Sequence, residues 1–414
     1  MQTAIDPTLR DTPIGQEAGR ILRTCTHCGF CLATCPTYQL LGNELDSPRG
    51  RIYLMKQMLE GKAATATTQQ HLDRCLTCRA CETTCPSGVE YGKLIDIGRE
   101  LIEQRIPRPN NKRLLRWALR AVLPRRQLFG PLMWLGRRVR PLVPAALREK
   151  IPPARTAPAW PTSAAHQRRV LMLEGCVQPS MEPTINPVTA RLLDALGVSV
   201  IRTPASGCCG AIDQHLGNQQ RAQSRVKAVI DAWWPQIEAG AEAIIVNASG
   251  CGVQVKDYGH LLRHDPHYAE RAARVSALAR DPIEFLLDEE PRLRRAPGAP
   301  TRVAFQSPCT LQHGQKLGGR VEALLTRLGF ELCPVADAHL CCGSAGTYSV
   351  LQPDLSKQLR GNKLTALQAG KPALILTANI GCLTHLGATA DVPVRHWLDV
   401  ITAVDDRSHA PKSR

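Results

Sequence analysis

The chain has 414 residues, 17 of them cysteine, and a formal net charge of +16. At about 150 residues per domain the length suits two or three domains, and a hydrophobic fraction of 43% excludes wholesale disorder. No run of about 18 apolar residues occurs, which excludes a simple membrane-spanning helix. The opening MQTAIDPTLRDTP lacks a basic stretch leading into an apolar one, so the expected address is the cytoplasm.

In chain order, residues 1–24 read as a short polar lead-in. Residues 16–104 are expected to form a mostly helical domain around eight cysteines in two matching runs. The first is Cys25-x2-Cys28-x2-Cys31-x3-Cys35-Pro36 and the second is Cys75-x2-Cys78-x2-Cys81-x3-Cys85-Pro86, each member 50 residues from its counterpart. Disulfides suit a reducing compartment poorly, whereas thiolate is the soft ligand that iron–sulfur centres need. This is the bacterial ferredoxin spacing written twice, in which the fourth cysteine of each run ligates the other cluster. The expectation is therefore two [4Fe–4S] clusters, one on Cys25, Cys28, Cys31 and Cys85, the other on Cys75, Cys78, Cys81 and Cys35. Zinc sites do not call for two identical runs of four. His27, inside the first run, is not needed as a ligand. Arg49 and Arg51 are placed either to offset cluster charge or simply to face water.

Residues 105–165 form a basic apolar segment and a Pro/Ala linker. Between Arg105 and Lys150 stand 13 Lys or Arg and one acid, Glu149, so this stretch carries +12 of the +16. Leu115, Ala118, Leu119, Val122 and Leu123 have the spacing of one helix face, and prolines at 124, 131, 141 and 144 are expected to break the segment. Three readings stand: packing on the chain's own domains, docking to a partner subunit, or a peripheral contact with an anionic membrane. No nucleic-acid motif accompanies the charge, and none is expected as a partner.

From residue 166 short apolar runs alternate with amphipathic ones, the pattern of an α/β fold with largely parallel strands. Two duplicated halves are expected, 166–290 and 301–402, with 290–301 as hinge. Cys176, Cys208 and Cys209 recur at 133 residues as Cys309, Cys341 and Cys342, and Cys251 recurs at 131 as Cys382. Each half holds a lone cysteine, a Cys-Cys-Gly and a cysteine after a strand. Four thiols per half suit a further cluster or metal, a redox pair or partner interface, or a structural role. Asn247, Asn379, His313, His339 and His385 lie near these turns without a ligand pattern. Cys333 has no counterpart and is expected to pack as a small apolar residue. No phosphate-cradling or dinucleotide motif occurs, so neither flavin nor NAD is expected in this chain.

CTHCGFCLATCPTYQLLGNELDSPRGRIYLMK, CLTCRACETTCPSGVEYGKLID, SGCCGA and NASGCG together resemble the iron–sulfur subunits of flavin-linked hydroxy-acid dehydrogenases, and most of all those of glycolate oxidase (glycolate dehydrogenase). The resemblance runs from about Gln16 to Asp399. It implies flavin-containing partner subunits that oxidise glycolate to glyoxylate, and electrons leaving through this chain toward a quinone-type acceptor at the cytoplasmic face of the inner membrane. Lactate or glycerol-3-phosphate dehydrogenase subunits, and heterodisulfide-reductase-like catalytic subunits, are the alternatives it brings. Heterodisulfide-reductase relatives end each motif with C-x2-C. Here that last position is Gln254 in one half and His385 in the other, so each half lacks a fifth cysteine.

Overall fold

The computed structural model describes residues 1–144, 148–162 and 166–404. Among the described residues up to Arg105 there is helix and turn but no strand. Helix α1 (Pro13–Thr24) starts on Thr12, whose side chain accepts from the Gly15 N–H, and on a proline placed where no donor is lost. Helix α2 (Pro48–Leu59) starts the same way on Ser47. With α3 (Ala66–Asp73) and α4 (Tyr91–Arg105) these helices bury one core of Ile21, Leu22, Met55, Leu59, Leu72 and Leu94. The first 24 residues are thus no lead-in. Ala18, Ile21 and Leu22, at helical spacing, place α1 inside this core.

The basic segment folds as α5 (Asn110–Val122) and α6 (Arg126–Arg138). Pro131 does not break α6. It is the sixth residue and removes a single intrahelical bond near the helix start. Of the expected apolar face, Ala118, Leu119, Val122 and Leu123 are half-buried and Leu115 is exposed. On α5 it is Arg116 that turns inward, donating to Glu103 at 2.8 Å and to the Leu216 carbonyl at 3.2 Å. Leu114, Leu115 and Trp117 (58% exposed) face water, as do Leu128, Leu132, Trp134 and Leu135 of α6 and Leu142 beyond it. Phe129 and Met133 pack inward. Packing on the chain's own domains therefore accounts for only part of the segment's apolar surface.

The rest is mixed α/β. Strands β1 (Arg168–Met172), β2 (Val198–Arg202), β3 (Ala243–Ile245) and β4 (Ala279–Arg280) form a parallel sheet in the order β2-β1-β3-β4. After β5 (Leu293–Arg295) a second parallel sheet follows, from β6 (Arg302–Gln306), β7 (Glu331–Leu332), β8 (Leu374–Thr377) and β9 (Val394–His396), in the order β7-β6-β8-β9. The two orders are the same, so the duplication seen in the cysteines is a duplication of topology. Helices α7 (Ile185–Ala195), α8 (Gln219–Glu238) and α9 (Ser249–Lys256) serve the first sheet, and α10 (Arg320–Arg327), α11 (Pro353–Gln368) and α12 (Ile380–Gly387) the second.

The expected hinge is not slack. Its β5 pairs antiparallel with β10 (Ile401–Ala403), Leu293 opposite Ala403. The two halves also share a core in which Leu192 of α7 and Leu196 just past its end meet Val321, Leu324, Trp397 and Leu398 of the second half. His396 joins them by hydrogen bonds. Fully buried, it donates from Nε2 to the Asn247 carbonyl at 3.0 Å and accepts the Leu398 N–H at Nδ1.

Burial pushes the His396 imidazole down to about 4, and its bond to Asn247 offsets this only in part. An unfolded histidine titrates near 6.5. Between those values only the unfolded chain binds the proton. The contribution is therefore complete above about pH 6.5 and is lost as pH falls toward 4, at most roughly 3 kcal/mol. The denaturant midpoint, followed by circular dichroism, should drop from pH 7 to pH 5, and should drop less in His396→Gln.

Candidate metal centres

The two N-terminal runs repeat in backbone as well as in sequence. The first cysteine of each is anchored by its N–H to the carbonyl three residues back, Cys25 to Leu22 and Cys75 to Leu72. The last is anchored likewise, Cys35 to Leu32 and Cys85 to Glu82. The residues flanking the second cysteine are left-handed in both, His27 and Gly29 around Cys28, Thr77 and Arg79 around Cys78, with φ between 55° and 89°. Three of these four carry a side chain, a conformation that costs about 1 kcal/mol or more and persists only where surroundings enforce it. Thr77 is held by Arg99, which donates to its hydroxyl at 2.7 Å, and Arg79 by an ion pair with Asp257 at 2.8 Å. Pro36 opens a short helix (Pro36–Leu41) that Cys35 caps, whereas no helix begins at Pro86.

These turns wrap two hollows. Cys25, Cys28, Cys31 and Cys85 line one, and Cys35, Cys75, Cys78 and Cys81 line the other. The fourth cysteine of each run thus crosses to its neighbour. Pro48, Cys81 and Tyr91 border both hollows and form their common wall. Among the described residues no three Cys, His, Asp or Glu side chains gather closely enough to hold a single metal ion. The sulfurs instead ring a space with all-thiol donors, which fits a cluster whose irons sit at separate corners. The first hollow opens to water, with Cys28 exposed beside Phe30, itself 65% exposed. The second is interior, with Cys35, Cys75 and Cys81 buried. Burial pushes the Cys31 thiol up to about 11 and those of Cys78 and Cys81 well above the usual range.

A buried polar network supports the second hollow. Asp46, wholly buried, pairs with Arg51 at 3.4 Å and Arg74 at 2.9 Å and takes His71 Nδ1 at 2.9 Å. Arg51, equally buried, also donates to the His71 carbonyl at 2.7 Å and to the Thr37 hydroxyl at 3.1 Å, with Nη1 at 3.9 Å from the Cys35 sulfur. Tyr91 places its hydroxyl 3.6 Å from the Cys75 sulfur. Burial alone would lower the Arg51 guanidinium, but the thiols of Cys75 and Cys35, Tyr91 and Asp46 hold it above its ordinary value. Arg49 differs. It is partly exposed and pairs with Glu44 at 2.7 Å.

The duplicated cysteines all follow the carboxyl ends of parallel strands, the usual place for a site in such sheets. Gly210 and Gly343, with φ of 91° and 86°, turn the chain after each Cys-Cys pair. A Cβ on Gly343 would lie 2.7 Å from the Ser356 carbonyl oxygen, so only glycine fits there. In the first half Cys176 contacts Cys208, Cys208 contacts Cys209, and Cys209 contacts Cys251. Hydrogen bonds from Cys176 and Cys209 push the Cys208 thiol well down. In the second half Cys309 lies 3.7 Å from Cys341. Its bond to Cys341 and its burial push it up. This second set adjoins the second hollow, for Leu76, Cys309, Cys341 and Tyr348 form one apolar cluster against which Cys78 packs.

Of the nearby polar residues, Asn379 reaches a cysteine sulfur, Nδ2 lying 3.5 Å from Cys382. Asn247 instead bonds Gln178, Asn186 and Thr189. His313 bridges Thr83 of the second run to the His339 carbonyl, and His385 contacts Ser356. Gln254, at one of the fifth-cysteine positions, bonds Gln214. Cys333 is buried against the Gly370 carbonyl, as a small core residue. The sequence reading missed Asp46, Tyr91 and Arg99. Only the fold brings Tyr91 to a sulfur and Asp46 and Arg99 to the groups that hold the runs, although the paired arginines after SP at 47–48 are a visible signal for Arg51.

The helical turns, the all-thiol hollows and the repeated sheets define an iron–sulfur protein of two parts. A 4Fe-4S dicluster domain matches residues 21–89, and a cysteine-rich domain matches twice, at 170–256 and 303–387. The chain is 56% identical to the glycolate oxidase iron–sulfur subunit of Escherichia coli (strain K12), over 97% of this chain and 98% of that protein. It is 32% identical to a probable glycolate oxidase iron–sulfur subunit of Bacillus subtilis (strain 168), over 93% and 94%. Lactate utilization protein A of Geobacillus thermodenitrificans is 27% identical over 53% of this chain and 90% of its own length. The chain belongs to the glycolate oxidase iron–sulfur subunit family.

Asp46→Ala would leave Arg51, Arg74 and His71 without their shared acceptor. Removing one member of a buried ionic set costs about 3–5 kcal/mol. The denaturant midpoint of the purified variant should fall accordingly, and Asp46→Asn, which keeps the shape, should recover part of the loss.

Proposed function

We propose that this chain is the electron-transfer subunit of a flavin-dependent glycolate dehydrogenase. The observation that carries the reading is the pair of thiol-ringed hollows sharing one wall, in a chain so similar to a glycolate oxidase subunit. Cys25, Cys28, Cys31 and Cys85 would hold one [4Fe–4S] cluster, and Cys35, Cys75, Cys78 and Cys81 the other. Such a cluster, when bound, takes up and releases a single electron. The chain's own part is to fix the thiols, exclude water from the second hollow and keep the two sites adjacent. Flavin-containing partner subunits would oxidise glycolate to glyoxylate, releasing two electrons and two protons. The electrons would cross this chain one at a time to a quinone-type acceptor. Cys176, Cys208, Cys209 and Cys251, and Cys309, Cys341, Cys342 and Cys382, are candidates for further metal.

We place the protein at the cytoplasmic face of the inner membrane, held peripherally. No helix among the described residues is long and apolar enough to cross a bilayer. The support is the outward face of α5, α6 and the turn that follows, where Trp117, Leu132, Trp134 and Leu142 stand among arginines. That combination suits an anionic interface.

Anaerobically purified chain should contain about eight iron atoms and as much acid-labile sulfide if only the N-terminal sets are filled, and up to about 16 if each half adds a four-iron centre. Adding it to the flavin subunits should restore glycolate-dependent reduction of a quinone analogue; unchanged rates with and without it would refute the role. Sedimentation with phosphatidylglycerol vesicles should exceed that with phosphatidylcholine vesicles and weaken with salt. Trp117→Ala with Trp134→Ala should reduce it several-fold; equal binding to both lipids would refute the membrane contact.

A further inference from the structure

The two hollows repeat in their thiols but not in what surrounds them. Fifty residues after Arg51 stands Leu101, and fifty before Tyr91 stands Leu41. Among the described residues, side-chain donors on sulfur at these hollows belong to the second one: Arg51 Nη1 at 3.9 Å from Cys35 and Tyr91 Oη at 3.6 Å from Cys75. Cations near the first hollow are held on carbonyl oxygens instead. The Met1 amine donates to the Cys25 carbonyl at 2.9 Å, and Arg49 lies 3.5 Å from that of His27, with Glu44 to neutralise it. Water at the exposed Cys28 edge screens them further.

Reduction adds one negative charge to a cluster. Burial alone opposes that charge, and by this effect the second site would be the harder to reduce. A guanidinium and a phenol aimed at its sulfurs act the other way, and the same low dielectric that penalises the charge strengthens their pull. The charges around the second site are Arg51 and Arg74 against Asp46, Arg79 against Asp257, and Arg99 and His215 with Asp96. Glu82 accepts the Gly92 N–H. Around Asp46 two guanidiniums face one carboxylate, and it is the Arg51 guanidinium that reaches sulfur.

We propose that Arg51, assisted by Tyr91, holds the buried second site at a higher reduction potential than the exposed first, so that electrons enter beside Phe30 and Cys28 and settle in the interior. This rests on the two-cluster reading above. Arg51 and Tyr91 are positioning residues here, acting on the potential through the cysteine sulfurs. From the second site the next thiols are Cys309 and Cys341, which pack with Leu76 and Cys78.

The test is a redox titration of the full chain followed by electron paramagnetic resonance. A soluble dysprosium chelate identifies the exposed cluster by broadening its signal. The cluster spared by the chelate should be reduced first. Arg51→Gln should shift electron sharing between the two by at least about tenfold toward the exposed cluster, which is about 59 mV for one electron. Arg51→Lys should restore most of this, and Tyr91→Phe should give a smaller shift of the same sign. Should Arg51→Gln fail to hold iron, Tyr91→Phe decides alone. Two intact clusters with the exposed one reduced first, or unmoved by these variants, would overturn the inference and leave the two-cluster reading standing. Iron and sulfide far below eight per chain would overturn both.

Discussion

The exchange of the fourth thiols governs the architecture of the N-terminal region. Cys85 lines the hollow of the first run and Cys35 that of the second, so neither hollow is complete until both runs have come together. The 50-residue spacing leaves α2 and α3 to be placed between them. Those helices pack below the runs, and their ends supply the side chains that hold the turns. Arg51 of α2 and His71 of α3 meet over Asp46, a residue with no exposed surface. Left-handed residues with side chains persist in the runs because this packing, with Arg99 and Asp257, pins them.

The same region ties to the duplicated halves next to their cysteines. Asp96 takes Gln214 and His215, just past Cys209. Arg79 pairs with Asp257, just past Cys251, and Thr83 bonds His313, just past Cys309. The helical part therefore sits over the carboxyl ends of both sheets, where all eight duplicated cysteines lie. Contacts at three such turns give the two kinds of thiol set a fixed relation, which a flexible tether would not.

Much of this was legible in the residues because cysteine spacing and strand periodicity are local. The runs, the four longest strands β1, β2, β6 and β8 and the Cys-Cys-Gly duplication all lie in the segments where the pattern places them. Short strands such as β4, β7 and β9 carry two or three residues and too little periodicity to register. The helix α1 was hidden by polar composition around three apolar positions. Periodicity places only part of the α5 face: Ala118, Leu119, Val122 and Leu123 are half-buried, but the most buried side chain is Arg116, which finds a carboxylate and a carbonyl inside, while Leu115 stays exposed. Asp46, Tyr91 and Arg99 could not be picked out at all, since ordinary residue types acquire a role here only through long-range contacts.

The pairing of β5 with β10 bears on the order in which the chain is assembled. The strand that leaves the first half finds its partner only among the last described residues of the second. During synthesis the first sheet emerges well before that partner exists, with Leu192 and Leu196 still lacking the second half's side of their core. The first half therefore waits with an apolar flank uncovered until nearly the whole chain has left the ribosome, an interval in which a holding chaperone has a defined surface to shield.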